Sequence, residues 1–135
     1  GPNLPTMIRL NGGWQKVSIV PRHLSQAMVC YDNQFYKMGD RAVNIYESLV
    51  RKSFTTRITG SAVCDCAVIA CGKINSRLWN NTNSYDIAAG ISIVKGAGGC
   101  VCDFSGNSIN ALAKEVVICS DESLKDQILE LIRLT

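Results

Sequence analysis

The sequence predicts an α/β fold, a layered sandwich in which a mostly parallel sheet is covered by helices. Short apolar runs typical of buried strands alternate along the chain with helical patterns of ten or more residues. One of these helical patterns is apolar nearly all round, which is typical of a helix inside a layered fold. With 135 residues and 47% apolar content, the chain is long enough to bury one such core.

The first 26 residues are expected to form a hairpin and a connection. Two β-like runs, at Met7–Leu10 and at 16–20, flank Asn11-Gly12-Gly13, a sequence suited to a tight turn with positive φ. Residues 23–26, after a proline, predict a short polar turn or helix. The remainder, 27–135, is expected to form the α/β domain.

Residues 27–58 predict a strand, a helix and a second strand. The apolar run at 27–31 is typical of a buried strand. Between residues 38 and 50, apolar side chains recur at helical spacing, with polar side chains on the other face. Residues 54–58 are rich in β-branched and aromatic side chains, which favour a strand.

Residues 61–79 predict the next helix and strand. Ser61 supplies a side-chain oxygen suited to capping a helix that runs to Cys71 and stops at Gly72. Apart from Asp65, that helix is apolar nearly all round. The run at 74–79 is the strand that follows.

The last part of the chain continues the alternation. Ser84 is expected to cap a helix that ends at Gly98-Gly99. Two short strands are expected, at 100–104 and at Val116–Cys119. Ser120 or Asp121 then opens an amphipathic final helix.

Composition excludes several classes of protein. The net charge of +3 comes from charges spread along the chain, so direct nucleic-acid binding is not indicated. The longest apolar stretches are far shorter than the ~20 residues of a membrane helix. The seven cysteines lie among Val, Ala and Ile, which favours reduced core thiols in a cytoplasmic protein. Their C-x-C pairs lack the spacing of two to four residues usual in zinc sites.

Two strand-to-helix junctions carry residues suited to chemistry, because open α/β sheets bind ligands outside the carboxyl ends of their strands. At Thr59-Gly60-Ser61-Ala62, a glycine would let the backbone approach a ligand, and the helix start offers N–H donors. At Ser84-Tyr85-Asp86, a carboxylate lies in the first turn of a helix. Taken alone, each motif is also explained as an ordinary helix cap. The more specific alternative is that Asp86 contributes one ligand to a metal site.

The order of four segments resembles the C-terminal signature of the inositol monophosphatase family. These segments are Thr59-Gly60-Ser61-Ala62, Ala70-Cys71-Gly72-Lys73-Ile74-Asn75, Tyr85-Asp86-Ile87-Ala88-Ala89-Gly90 and Ile93-Val94-Lys95-Gly96-Ala97-Gly98-Gly99. In the family they read much like TGSAA, ASGRID, WDIAAG and an IVxEAGG ending. The family's bacterial extragenic-suppressor branch is one candidate subgroup.

The resemblance implies a phosphatase that hydrolyses a phosphomonoester with water activated by Mg²⁺. Asp86 would be a metal-binding aspartate, and Gly60, Ser61 and Ala62 would border the substrate's hydroxyls. Trp79 occupies the position where the inositol-specific member carries a glutamate. The expected substrate is inositol phosphate or a sugar phosphate. Because Trp cannot accept a hydroxyl hydrogen bond, either inositol is not the preferred ring or this edge is rebuilt around another sugar or nucleotide phosphate.

The resemblance covers only the second half of a typical family member. The other metal-binding carboxylates of the family lie N-terminal to everything in this chain, so no complete catalytic set is expected here. Residues 1–26 are then expected to belong to the N-terminal sheet of a parent fold. A non-catalytic binding or regulatory module on the same scaffold is the alternative, and a homodimer is expected in either case.

Overall fold

The computed structural model describes residues 4–110 and 112–135, apart from the side chains of Ser84 and Asp86. It begins with a hairpin of β1 (Met7–Leu10) and β2 (Gly13–Lys16). Asn11 and Gly12 form the turn, with φ of 50° and 81°. The expected second strand at 16–20 is therefore placed wrongly: a two-residue turn pairs Gly13 directly with Leu10, so the strand begins earlier.

The rest of the chain alternates strands and helices as expected. A short 3₁₀ helix (Leu24–Gln26) precedes β3 (Met28–Cys30), and a second one (Phe35–Met38), which was not expected, precedes the first α-helix. The elements that follow are α1 (Asp40–Lys52), β4 (Thr55–Arg57), α2 (Ala62–Ala70), β5 (Ser76–Trp79), α3 (Ser84–Gly96), β6 (Cys100–Cys102), β7 (Val116–Cys119) and α4 (Glu122–Arg133).

Five strands form a mixed sheet in the order β4-β3-β5-β7-β6. Strand β3 is parallel to both β4 and β5, whereas β7 is antiparallel to β5 and to β6. Four of the five strands therefore point the same way, which confirms the expected mostly parallel sheet. None of the helices in the described ranges is long and apolar enough to cross a membrane.

Side chains of the strands alternate between two apolar layers, as the period of two in a strand requires. One layer packs against α1 and α4, and it contains Val29, Ile45, Leu49, Leu78, Val117, Leu124 and Ile128. The other packs against α2 and α3, and it contains Cys30, Cys66, Ile69, Trp79, Ile87, Val94 and Ile118. Helices therefore cover both faces of the sheet.

Helix caps differ from the expectation at two positions. The side chain of Asn83, not Ser84, caps α3 by accepting a hydrogen bond from the Tyr85 N–H. Ser61 occupies the N-cap position of α2 but makes no capping hydrogen bond through its side chain. The expected alternative of Asp121 at the start of α4 is confirmed, because its carboxylate accepts from the Leu124 N–H.

Topology brings two helix starts to one edge of the sheet. Strands β4 and β5 are both parallel to β3, so their carboxyl ends meet at the same edge. Helix α2 follows β4 and α3 follows β5, so both helices begin at that edge. This is the edge at which open α/β sheets bind ligands.

Candidate functional site

The turn between β4 and α2 depends on the conformation of Gly60. Its φ is +76°, a region that L side chains rarely adopt. Space is not the constraint, because a Cβ at this position would only touch Asn33 Nδ2 at 3.9 Å. Ser61 and Ala62 follow, half-buried, at the start of the helix. The Ser61 N–H donates to the Thr59 hydroxyl oxygen at 3.3 Å, which closes the turn.

A buried ion pair lies beneath this turn. Asp65 of α2 and Arg77 of β5 form it with side chains only 2% and 3% exposed. Thr59 Oγ1 lies 2.8 Å from both carboxylate oxygens of Asp65 and 3.3 Å from Nη1 of Arg77. The Asp65 N–H in turn donates to the Ser61 carbonyl at 3.1 Å. The four residues therefore form one connected network.

The apolar layer between the sheet and α2 surrounds this network. The Arg77 guanidinium lies over the Trp79 ring, 4.7 Å from its centroid. Cys30 is the register partner of Arg77 on β3. Burial, together with the negative charge of Asp65, raises the pKa of the Cys30 thiol to about 12. The ion pair is therefore surrounded mainly by buried apolar side chains.

Trp79 lies inside the molecule. Its side chain is 4% exposed and belongs to the apolar layer beside α2 and α3. In this position it packs against Arg77 rather than facing solvent. Its contact with substrate therefore stays a prediction.

Asp86 lies in the first turn of α3, at the sheet edge that the topology identifies. Its side chain falls outside the described part of the structure. Within the described residues, no group of three or more His, Cys, Asp or Glu side chains could hold a metal ion. The metal-binding role of Asp86 stays a prediction.

The sequence-based site omitted Asp65 and Arg77. Asp65 is the lone charge in an otherwise apolar helix, and Arg77 is the single charge in the 74–79 strand. Because isolated charges are almost never fully buried unless paired, these two residues could have been expected to meet. That they meet at Thr59 depends on the strand order, which the sequence pattern does not specify.

Comparisons with known proteins agree with this fold. The sequence model of the inositol monophosphatase family matches residues 8–134. The fructose-1,6-bisphosphatase/inositol-1-monophosphatase of Thermotoga maritima is 35% identical over 86 residues, which cover 64% of this chain and 33% of the relative. The Nus factor SuhB of Xylella fastidiosa is 31% identical over 97 residues, covering 72% of this chain and 31% of the relative.

Solved structures give the same result. The Thermotoga maritima IMPase matches with a TM-score of 0.75 at 27% identity, covering 92% of this chain and 46% of that chain. The extragenic suppressor protein SuhB of Bartonella henselae matches with a TM-score of 0.81 at 20% identity, covering 88% and 46%, which shows a shared fold. The chain spans about a third of these curated relatives and just under half of these structures. The chain belongs to the inositol monophosphatase family.

Proposed function

We propose that this chain is the C-terminal part of a cytoplasmic, Mg²⁺-dependent phosphomonoesterase that hydrolyses inositol phosphate or a sugar phosphate. The observation that carries the proposal is the common sheet edge at which the Gly60 turn and the first turn of α3 both lie, in a chain that matches its family from residue 8 to 134. Seven free thiols, four of them buried, support a reducing compartment.

In this proposal Gly60, Ser61 and Ala62 border the hydroxyls of the substrate, and Asp86 contributes one ligand to Mg²⁺. When bound, Mg²⁺ would activate water and neutralise charge on the phosphate. The described residues alone do not supply the several oxygen ligands that Mg²⁺ needs. The remaining carboxylates therefore belong, in this proposal, to a part of the protein outside this chain.

The hairpin supports the proposal of a larger fold. Met7, Leu10 and Trp14 are 44%, 46% and 66% exposed on its two short strands. An isolated two-stranded hairpin is marginally stable in water and normally needs further strands or a packing partner. We therefore propose that residues 1–26 join an N-terminal sheet of the parent protein, and that 27–135 form its C-terminal domain.

The test is phosphate release from inositol, sugar and nucleotide monophosphates, with and without Mg²⁺. This chain alone is expected to release none, whereas the parent protein releases phosphate only with Mg²⁺, and Asp86→Asn abolishes that release. The matched control Asp126→Asn changes an exposed carboxylate on α4 and is expected to keep the activity. Unchanged activity of Asp86→Asn in the parent protein would contradict the metal-binding role.

A regulatory module on the same scaffold is the second candidate. The observation that favours it is the similarity to several proteins named Nus factor SuhB, at 31% to 36% identity. In that case the parent protein would release no phosphate from any substrate of the panel. The regulatory effect of the parent protein in cells would also survive the Asp86→Asn substitution. The phosphatase proposal instead expects this substitution to abolish function.

Self-association is the remaining proposal. Exposed apolar side chains on the hairpin and Val63 of α2, which is 47% exposed, give the isolated chain a surface that favours association. We expect light scattering to show a dimer or larger species. A monodisperse monomer would contradict this expectation.

A further inference from the structure

The Asp65–Arg77 ion pair has an unusual location for a charged pair. It lies inside an apolar layer, and each residue is only 2% exposed. Removing two charges from water costs free energy that their attraction repays only when the geometry is good and the other polar atoms are satisfied. Within the described part of the chain, the buried Arg77 Nε has no hydrogen-bonding partner. Stability alone is therefore a poor explanation for this pair.

The pair connects three consecutive elements of the chain. Arg77 lies on β5, Asp65 lies on α2, and Thr59 follows β4. Strand β3 separates β4 from β5, and Cys30 of β3 is the register partner of both Arg57 and Arg77. The Arg77 side chain therefore reaches across β3 to the turn after β4.

Thr59 is the junction between the ion pair and the turn. Its hydroxyl has one hydrogen to donate, and the Asp65 carboxylate at 2.8 Å can only accept. Once that hydrogen is directed to Asp65, the lone pairs of Thr59 Oγ1 are left for the Ser61 N–H and for Arg77 Nη1, both at 3.3 Å. The ion pair thereby orients the Thr59 hydroxyl so that a lone pair is free to accept the hydrogen bond that closes the Gly60–Ser61 turn.

We propose that Asp65 and Arg77 are positioning residues, which hold Thr59 and through it the Gly60–Ser61 turn in its substrate-facing conformation. This inference rests on the proposed phosphatase function, in which that turn borders the substrate's hydroxyls. Neither residue touches the substrate. The network acts by fixing the backbone of the Gly60–Ser61 turn, which borders the substrate.

The first test uses this chain and needs no activity. Thr59→Val removes the hydroxyl and leaves the ion pair in place. We expect amide hydrogen exchange of Ser61 to become about tenfold faster, because its hydrogen bond is lost, while exchange at the buried Ile118 stays unchanged. Thr55→Val is the matched control, since Thr55 bonds the exposed Arg57 and makes no bond to the turn.

The second test uses the parent protein and separates positioning from bulk stability. In Thr59→Val we expect KM for the phosphomonoester to rise about tenfold while kcat changes less than about twofold, since the turn contributes binding rather than chemistry. Arg77→Met is expected to raise KM further. Arg77→Lys is expected to restore it only in part, because an ammonium keeps the charge but lacks the planar fork of a guanidinium.

The outcomes are distinct. Unchanged Ser61 exchange in Thr59→Val, or an unchanged KM in an active parent protein, would overturn the positioning role and leave the pair purely structural. If Arg77→Met does not fold, Thr59→Val still decides, because it keeps both buried charges. If the wild-type parent protein releases no phosphate, the proposed function fails, while the exchange measurement still shows whether the network holds the turn.

Discussion

Gly90 of α3 lies directly against the side chain of Cys66 on α2. A Cβ built at Gly90 would lie 2.5 Å from Cys66 Sγ and 2.8 Å from Cys66 Cβ, distances that real side chains do not adopt. We therefore expect Gly90→Ala to lower the free energy of unfolding by about 1–3 kcal/mol, although alanine is the better helix former. Urea unfolding followed by circular dichroism measures this change.

Gly13→Ala is the control for that substitution, because a Cβ at Gly13 would meet only the Leu10 carbonyl, at 3.8 Å. Its effect should stay within about 0.5 kcal/mol. In the double variant Cys66→Ala/Gly90→Ala, the loss should be smaller than the sum of the single losses, since part of the clash is relieved. Full additivity would show that the two helices do not meet at this point.

Asn75 joins three segments at the opposite edge of the sheet. Its side-chain oxygen accepts from the Met28 N–H at 3.0 Å, and its amide donates to the Val20 carbonyl at 3.1 Å. Asn75 is itself 6% exposed, and Asn75→Ala leaves two partly buried backbone groups without this partner. We expect a loss of about 3 kcal/mol in the free energy of unfolding.

Asn44→Ala, on the exposed face of α1, is the matched control for Asn75→Ala and should change stability by less than about 0.5 kcal/mol. Asn75→Asp provides a further comparison, because it keeps the acceptor for Met28 and loses the donor to Val20. At neutral pH it should be less stable than wild type. Equal stability of Asn75→Ala and Asn44→Ala would contradict the role assigned to Asn75.

Much of this fold follows from local sequence patterns. The apolar run at 27–31 predicts a strand because a buried strand needs apolar side chains on both faces. Element boundaries depend on finer details: the length of the hairpin turn decides where β2 begins, and the N-cap of α3 is Asn83, one position before Ser84. The antiparallel direction of β7 depends on long-range pairing, which no local pattern contains.

The residues of the candidate site also fall into two groups, those with a local sequence signal and those brought together only by the fold. Gly60 was identified because a glycine between a strand and a helix is a local signal, and its positive φ explains the residue type. Asp65 and Arg77 were missed because their meeting depends on strands β4, β3 and β5 being neighbours. The role of Asp86 was inferred from family resemblance, and stays a prediction.

Gly96 is a position where the chain departs from the family's IVxEAGG ending, and the structure gives a reason. A Cβ there would lie 2.5 Å from Thr6 Oγ1 and 2.8 Å from the Leu4 carbonyl oxygen. Thr6 donates its N–H to the Gly96 carbonyl at 3.1 Å and its hydroxyl to the Ile93 carbonyl at 2.5 Å. Any side chain at Gly96 should therefore displace the segment that leads into the hairpin.

We expect Gly96→Glu, and to a smaller extent Gly96→Ala, to accelerate amide exchange of Thr6 by about tenfold or more, since its hydrogen bond to Gly96 is broken. Exchange at core positions such as Ile118 should not change. The neighbouring Lys95→Ala is the control, because Lys95 is exposed on the last turn of α3. Protection of Thr6 in Gly96→Glu would show that the segment docks differently.

Buried thiols should make the protein less stable at alkaline pH. Burial raises the pKa of Cys66 from an ordinary value of 9.0 to about 11. Below pH 9 both the folded and the unfolded states keep this proton, so the thiol contributes no pH dependence. Above pH 9 the unfolded chain releases the proton while the folded protein retains it, so stability falls by about 1.4 kcal/mol per pH unit for this group until about pH 11.

Replacing the thiol isolates this contribution from those of other titrating groups. Cys66→Ala should destabilise the protein at pH 8 because it leaves a cavity, but the difference from wild type should shrink by about 1.3 kcal/mol at pH 10. Val68→Ala, which truncates a partly buried side chain of the same layer without removing a titrating group, should give the same difference at both pH values. A pH-independent difference for Cys66→Ala would mean that the Cys66 thiol ionises equally in the folded and unfolded states.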